Sequence, residues 1–312
     1  MAILGLDIGG TKILGVIFDK DGKIIDREKK PSKAKKGFDA FIEQLYKVMD
    51  NLIERTKKNI TGIGIGFPGT IDKDGKVVFA PNLPVENYDL TGELNNKYKV
   101  PVYLGNDVNL GTYGEYSELN IPHVNVIGLF PGTGLGGGIV IDGELYIGQG
   151  SAGELGHIVV QKNGVLCSCG NRGCLESYAS KKGIIAFMKK EIKKGKDTVL
   201  KKDIKRGILK SSRLKEAYDM EDELTLEAMN QFEEYLGMGI GIIMNIFNPD
   251  LVIIGGGITE AFGEKLLKEL KEYIKAYAMP GIFRNTHVKL SRLEDDAVVY
   301  GAYHLVLNKQ NN

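Results

Sequence analysis

The sequence is poor in cysteine and has almost no excess charge, and both facts exclude classes of protein. Only three of the 312 residues are cysteine. An odd number cannot pair completely, and a chain of this length can bury a core without cross-links, so a disulfide scaffold is not expected. Lys and Arg total 41 against 40 Asp and Glu, a net charge of +1. This balance indicates no nucleic-acid partner.

The sequence also lacks long apolar runs and a secretion signal. No apolar stretch approaches the roughly 20 residues of a membrane-spanning helix. The first residues, MAILGLDIGG, have neither the basic region nor the cleavage site of a signal peptide. We therefore expect a cytoplasmic protein with no membrane partner. The 41 glycines and the hydrophobic content of 43% are typical of an α/β enzyme with many tight turns, and the length predicts two domains.

All three cysteines fall in one segment, residues 153–176, with the sequence GELGHIVVQKNGVLCSCGNRGCLE. Cys167, Cys169 and Cys174 follow His157 there. Three thiols and one imidazole are the full ligand set of a closed tetrahedral zinc site. The spacing is not that of a zinc finger, so the metal is expected to hold a loop in place. Three ordinary buried cysteines are the alternative.

Two stretches repeat the pattern strand, glycine turn, strand, Asp-Gly turn: GLDIGGTKILGVIFDKDG and GLFPGTGLGGGIVIDG. Neither is a P-loop or a Rossmann turn, because β-branched residues and a hairpin turn follow where those motifs need a helix. We interpret them as an internal duplication of two hairpins whose turns present backbone N–H groups to phosphate. A plain hairpin explains the glycines but not Asp7, Thr11 and Lys12 together.

The predicted nucleotide-binding residues come from these two turns and from a third. Asp7 can hold a magnesium ion through water, while Thr11 and Lys12 can touch phosphate oxygens. The third turn follows a predicted strand at 251–254 and leads into a helix predicted to reach about residue 279, an arrangement that suits a nucleotide at a helix N-terminus. The full predicted set is Asp7, Gly9, Gly10, Thr11, Lys12, Gly132, Thr133, Gly134, Gly136, Gly256 and Gly257.

A carboxylate follows another predicted strand, at 102–104. Asp107 stands where open α/β sheets place functional groups, just past the carboxyl end of a strand. An aspartate in a turn or at a helix N-cap is the alternative. Asn82 lies in a predicted loop, and its amide can reach a polyhydroxyl ligand, although such asparagines are more often turn residues.

The remaining pattern predicts helices at 38–58, 225–247 and 296–306, and a buried strand at 60–67. Glycines 237, 239 and 241 are expected to allow close helix packing. Residues 29–36 are interpreted as a polar loop, and residues 72–76 as a hairpin turn.

The runs GELGH, CSCGNRGCLE, GNDVN and FNPDLVIIGGGI together resemble the ROK family of repressors, uncharacterised reading frames and sugar kinases. The resemblance covers nearly the whole chain. It implies the actin/hexokinase-like (ribonuclease H-like) α/β fold, with a nucleotide in the cleft between two domains. We place the smaller domain at 1–105 plus 297–312 and the larger, with the zinc loop, at 106–296.

The same resemblance implies an ATP-dependent hexose kinase that uses Mg²⁺, a structural Zn²⁺ and Asp107 as catalytic base. The family's glucokinases are the most similar, so glucose is the expected hexose, although kinases for fructose, N-acetylmannosamine and allose share these motifs. Loss of the zinc is expected to raise the KM for the sugar more than the KM for ATP, whose turns lie elsewhere in the chain. Two or four copies are expected to assemble. The implied sugar-binding residues are Asn82, Asn106, Asp107, Glu154, His157 and Glu176, and the implied zinc ligands are His157, Cys167, Cys169 and Cys174.

Two other functions are alternatives to a hexose kinase. The family's sugar-responsive regulators carry a helix-turn-helix domain before the first strand and often lose the ATP motif, whereas this sequence opens at that strand with DIGGTK intact. A chaperone-like or acetate-kinase-like ATPase on the same fold is disfavoured by the zinc segment.

Overall fold

The computed structural model describes residues 1–72, 75–119, 121 and 124–311. The strands are β1 (Ala2–Ile8), β2 (Lys12–Asp19), β3 (Ile24–Pro31), β4 (Ile60–Phe67), β5 (Thr70–Ile71), β6 (Val77–Phe79), β7 (Glu86–Tyr88), β8 (Val102–Asn106), β9 (Val126–Pro131), β10 (Leu135–Ile141), β11 (Glu144–Leu145), β12 (Leu251–Ile254) and β13 (His287–Leu290). The α-helices are α1 (Phe38–Thr56), α2 (Leu90–Tyr98), α3 (Asp107–Ser117), α4 (Lys181–Lys193), α5 (Lys201–Arg206), α6 (Ser211–Asp219), α7 (Glu223–Phe247), α8 (Gly257–Phe262), α9 (Glu264–Tyr277), α10 (Pro280–Asn285) and α11 (Ala297–Asn311).

Two five-stranded sheets share one strand order. The first runs β3-β2-β1-β4-β8 and the second β11-β10-β9-β12-β13, and β5-β6-β7 form a smaller sheet. In the first, β1, β4 and β8 are parallel. In the second, β9, β12 and β13 are parallel. The repeated order supports the duplication inferred from the two hairpin segments, and the predicted α/β class is confirmed.

The chain divides into two compact units. Unit 1 is drawn from residues 1–123, 138–153 and 295–312, and unit 2 from residues 124–137 and 154–294. The domain boundaries drawn from the sequence stay a prediction.

Strand β4 shows how alternation in the sequence produces two different faces of the first sheet in unit 1. In ITGIGIGF, apolar residues alternate with glycines along the strand. Ile63 and Ile65 are fully buried in a core that also contains Leu45 of α1. On the other face, a Cβ at Gly64 would overlap the backbone of Ala302 in α11. The strand therefore has an apolar face packed by one helix and a bare face that another helix approaches closely.

In unit 2, the glycines of α7 serve the close packing predicted for them. A Cβ at Gly241 would lie 2.8 Å from the Cβ of Tyr277 in α9. One at Gly237 would overlap Tyr273, a turn earlier in α9. In the described part of the chain, no helix is both long enough and apolar enough to cross a membrane.

Two predictions of secondary structure were wrong. The helix predicted to reach about residue 279 is two helices, α8 and α9, because Gly263 has φ 57 and ends the first of them. The loop predicted at 29–36 belongs partly to β3, which pairs with β2 through Pro31. An edge strand tolerates such a charged sequence because one side of it faces solvent. The turn predicted at 72–76 includes residues 73 and 74, which lie outside the described residues.

Candidate active site and metal centre

The parallel register of unit 1 brings two carboxylates to one edge of the first sheet. Asp7 is the register partner of Gly66, which in turn pairs with Gly105, two residues before Asp107. Burial raises the pKa of Asp7 to about 7, Lys12 acts against this rise, and the charge of Asp107 adds to it. Two neighbouring carboxylates at the carboxyl ends of parallel strands are suited to binding a cation and abstracting a proton.

Asn106 and Asp107 lie at the start of α3, and the side chains of both accept hydrogen bonds from main-chain N–H groups there. The Asn106 side-chain oxygen accepts hydrogen bonds from the N–H groups of Val108, at 3.0 Å, and Asn109, at 3.1 Å, so Asn106 is the N-cap. Its amide nitrogen donates to the carbonyl of Gly69 at 3.3 Å. Asp107 is the first helical residue, and its Oδ1 accepts from the Val108 N–H at 2.9 Å. A negative charge is favourable at the N-terminus of a helix.

One N–H group of the first glycine turn takes part in a hydrogen bond within the turn. The Gly9 N–H donates to the Lys12 carbonyl at 2.8 Å, so the N–H groups left to meet an anion are those of Gly10 and Thr11. A Cβ at Gly10 would lie 2.8 Å from the backbone oxygen of Asn82. The loop that carries Asn82 therefore packs directly against this turn, and Gly10 is needed for that contact as well as for any ligand.

Lys12 has a partner that the sequence did not indicate. Its Nζ lies 3.0 Å from Oδ1 of Asp295, and the Nζ of Lys29 lies 2.8 Å from Oδ2 of the same carboxylate. Lys29 and Lys12 together hold the pKa of Asp295 below its ordinary value. These residues are far apart in sequence, and only the pairing of β2 with β3 and the position of Asp295 just before α11 bring them together.

The second glycine turn, in unit 2, closes in the same way but is backed by a carboxylate. The Gly132 N–H donates to the Gly134 carbonyl at 2.8 Å. Glu176 Oε2 accepts a hydrogen bond from the Leu135 N–H at 2.9 Å, and Oε1 accepts from the Ser168 hydroxyl at 3.2 Å. A Cβ at Gly134 would overlap Glu176. A residue assigned to the sugar thus also supports a turn assigned to phosphate.

The four predicted zinc ligands converge. One ligand atom from each of His157, Cys167, Cys169 and Cys174 lies within 4.8 Å of all the others. The Cys167 sulfur is 3.6 Å from His157 Nδ1, and the sulfurs of Cys169 and Cys174 are 3.6 Å apart. Zinc bond lengths predict tetrahedral spacings of roughly 3.6 Å for sulfur to nitrogen and roughly 3.8 Å for sulfur to sulfur. The donor set and its geometry therefore fit Zn²⁺.

The other histidine nitrogen faces outward from this cluster. His157 Nε2 lies 3.7 Å from Glu154 Oε2. Burial by itself raises the pKa of Cys167, but hydrogen bonds with Cys169, Ser177 and His157 outweigh it and lower the pKa to about 6. The thiolate is the form in which cysteine binds a metal.

The third glycine turn is also in unit 2. Gly256 has φ 86 and caps the short helix α8, and a Cβ there would lie 2.7 Å from the Pro131 carbonyl. Gly256 therefore meets the strand end that leads into the second turn. Each unit gathers part of the predicted set. Unit 1 holds Asp7, Gly9, Gly10, Thr11, Lys12, Asn82, Asn106 and Asp107, and unit 2 holds Gly132, Thr133, Gly134, Gly136, Glu154, His157, Cys167, Cys169, Cys174, Glu176, Gly256 and Gly257.

Comparison with known proteins places this arrangement in a family. Residues 3–309 match the ROK family. The chain belongs to the ROK family. It is 33% identical to a glucokinase of Halalkalibacterium halodurans over 99% of this chain and 96% of that protein. It is also 33% identical to a xylose repressor of Caldicellulosiruptor bescii, over 98% of this chain and 78% of that protein.

A solved ROK structure shares the fold. The ROK family glucokinase from Streptomyces griseus, in complex with glucose and AMPPNP, superposes with a TM-score of 0.81 at 28% identity, covering 98% of this chain and 99% of that one. The fold is therefore the actin/hexokinase-like α/β fold of the ROK sugar kinases, as predicted. The roles of individual site residues stay predictions.

Proposed function

We propose that this ROK protein is an ATP-dependent hexose kinase and that its substrate is glucose. The observation that carries the proposal is the Asp107 carboxylate, which stands at the carboxyl edge of the first sheet, near Asp7 and its glycine turn. The similarity to a glucokinase along nearly the whole chain supports the choice of hexose.

Asp107 acts as the general base in this proposal. It accepts the proton of the 6-hydroxyl, the hydroxyl oxygen attacks the γ-phosphorus in line, and ADP leaves. The Val108 N–H, at 2.9 Å, and the start of α3 place hydrogen-bond donors beside this carboxyl group. Asn106 is proposed to contact the sugar as well, although its present bonds show that it also fixes the direction of α3.

The remaining sugar hydroxyls are assigned to Asn82, Glu154, His157 and Glu176. His157 is suited to this because Nδ1 faces the sulfurs and Nε2 faces away from them. A zinc ion held by four protein ligands has no open position for water, so we assign Zn²⁺ a structural role. It would fix the ring orientation and tautomer of His157.

Mg²⁺ and ATP are assigned to Asp7 and the glycine turns. A carboxylate whose pKa is raised to about 7 by burial and by neighbouring carboxylates is one that a cation would stabilise. Asp7 would hold Mg²⁺ through water, and the ion would neutralise charge on the phosphates. The N–H groups of Gly10, Thr11, Thr133 and Gly134 would meet phosphate oxygens. The adenosine is assigned to Gly256 and Gly257. Assembly into a dimer or a tetramer stays a prediction.

The test is an ATP-coupled assay of the purified protein against glucose, fructose, mannose, N-acetylmannosamine and allose. We expect ATP-dependent turnover with kcat/KM highest for glucose. Higher kcat/KM for another hexose would replace the substrate and keep the reaction class.

Sugar-responsive regulation is the second candidate, since a xylose repressor is 33% identical to this chain. Calorimetric titration with each sugar in the absence of ATP separates the two. Sugar binding without turnover of any hexose would overturn the kinase and favour the regulator.

A further inference from the structure

Lys181 lies at a position for which the sequence indicated no function. It is the first residue of α4, and its N–H donates to the Gly132 carbonyl at 3.0 Å. The next N–H, of Lys182, donates to the Thr133 carbonyl at 3.3 Å. The start of α4 is therefore attached to the second glycine turn.

The side chain of Lys181 reaches from there to the third glycine turn. A Cβ built on Gly257 would lie 3.5 Å from Lys181 Nζ and 3.1 Å from the Ser211 hydroxyl. The Ser211 Oγ is buried and has no hydrogen-bond partner among the residues that the structure describes. Lys181 thus bonds through its backbone to the second glycine turn and extends its side chain to the third. All of these residues lie in unit 2.

The positive charge of the Lys181 ammonium group is only weakly balanced by neighbouring negative charge. Burial lowers the pKa of Lys181, and the charge of Glu260 acts in the opposite direction. Within the described part of the chain, no carboxylate is close enough to form an ion pair with it, in contrast to the pair of Lys12 with Asp295. A partly desolvated cation without an ion pair is unfavourable unless an anion binds beside it.

We propose that Lys181 binds the nucleotide phosphate nearest the nucleoside, between the second and third glycine turns. This inference rests on the proposed function, which assigns a nucleotide to those turns. A lysine suits the task because a compact ammonium can neutralise a phosphate at a close distance without fixed geometry. The role of Lys181 is therefore to strengthen nucleotide binding, whereas the proton transfer from the sugar is assigned to Asp107.

The test compares Lys181→Met with Lys190→Met, which removes an exposed lysine near the end of the same helix. Calorimetry measures the binding of ADP with Mg²⁺ and, separately, of adenosine. Lys181→Met should weaken ADP binding by about 10–100-fold, the range for losing a charged hydrogen bond, and leave adenosine binding unchanged. Lys190→Met should change neither, and Lys181→Arg should retain most of the ADP affinity.

Three results would overturn the assignment: unchanged ADP affinity in Lys181→Met, equal losses for ADP and adenosine, or no ADP binding by the unsubstituted protein. Equal losses would mean that Lys181 only supports the packing of the two turns. The hexose assay tests the proposed reaction separately, because the ADP titration requires no turnover. A protein that turns over hexose but binds ADP equally well without Lys181 would contradict only this inference.

Discussion

The first and second glycine turns share a local pattern and differ in what stands behind them. Each closes with a hydrogen bond from its first glycine, to Lys12 in one and to Gly134 in the other, at 2.8 Å in both. The first is backed by a main-chain carbonyl, that of Asn82, and the second by the carboxylate of Glu176. A glycine motif thus sets the path of the backbone, while residues distant in sequence determine the chemistry of each turn.

The largest effect is expected for Asp107, the proposed general base near the first turn. Asp107→Asn should leave folding and sugar binding intact and lower kcat by about 10²–10⁴-fold, the usual contribution of a general base. Steady-state kinetics and calorimetry with glucose measure the two properties. Turnover close to that of the unsubstituted protein would remove Asp107 from the mechanism.

The second turn should depend on the metal cluster, and Cys169→Ser tests this. About one zinc per chain is expected in the unsubstituted protein, and the variant should lose it because three ligands remain. We expect KM for the sugar to rise about 10-fold or more. KM for ATP should rise too, because Glu176 contacts the Leu135 N–H. Metal analysis and kinetics check both effects, and full activity without metal would show that the cysteines are ordinary buried thiols.

Asp7, at the first turn, should lower stability in the absence of ligand. In the unfolded chain its carboxyl loses its proton near the ordinary pKa of 3.8, whereas in the folded chain it does so near 7. Stability therefore falls as pH rises between these values and is then constant. Asp7→Asn should raise the free energy of unfolding by about 1–4 kcal/mol at pH 8 and by less at pH 5, measured by urea denaturation. An equal effect at both values would mean that Asp7 is not the titrating group.

The smallest effects distinguish glycines within one turn. Gly134→Ala should lower stability by about 1–3 kcal/mol, because the new Cβ overlaps Glu176 and disturbs its bond to Leu135. Gly132→Ala is the matched control, since its Cβ meets no atom within 4 Å, and stability should change by less than about 0.5 kcal/mol. ATP affinity should nevertheless fall in Gly132→Ala if phosphate occupies that space. Equal unfolding curves for the two variants would contradict the packing role of Glu176.

Local patterns predicted the features that depend on neighbours in sequence. Strand β4 and the start of α1 were predicted to the residue, because alternation and helical spacing are properties of a short stretch. The convergence of His157 with the three cysteines was predicted because all four lie within one segment. The break between α8 and α9 at Gly263 was not predicted, since one glycine within a helical pattern is often tolerated.

Contacts between distant segments could not be predicted in this way. The zinc segment is one example, because nothing local indicates that Glu176 accepts a hydrogen bond from Leu135 of the second glycine turn. The pairs of Lys12 and Lys29 with Asp295 likewise depend on how β3 and the start of α11 are placed. The sequence indicated no function for Lys181 for the same reason, since its contacts join two glycine turns that are distant in sequence.

The bare face of β4 also has a consequence for biosynthesis. All five strands of the first sheet have been made once the ribosome passes Asn106, yet α11, the helix packed against Gly64, begins only at Ala297. Val299, Tyr303 and Val306, which complete the second cluster of that sheet, are thus translated long after its last strand. The nascent chain must carry one side of its first sheet without this cover until α11 has been made, so unit 1 can close only after the segments of unit 2 have been translated.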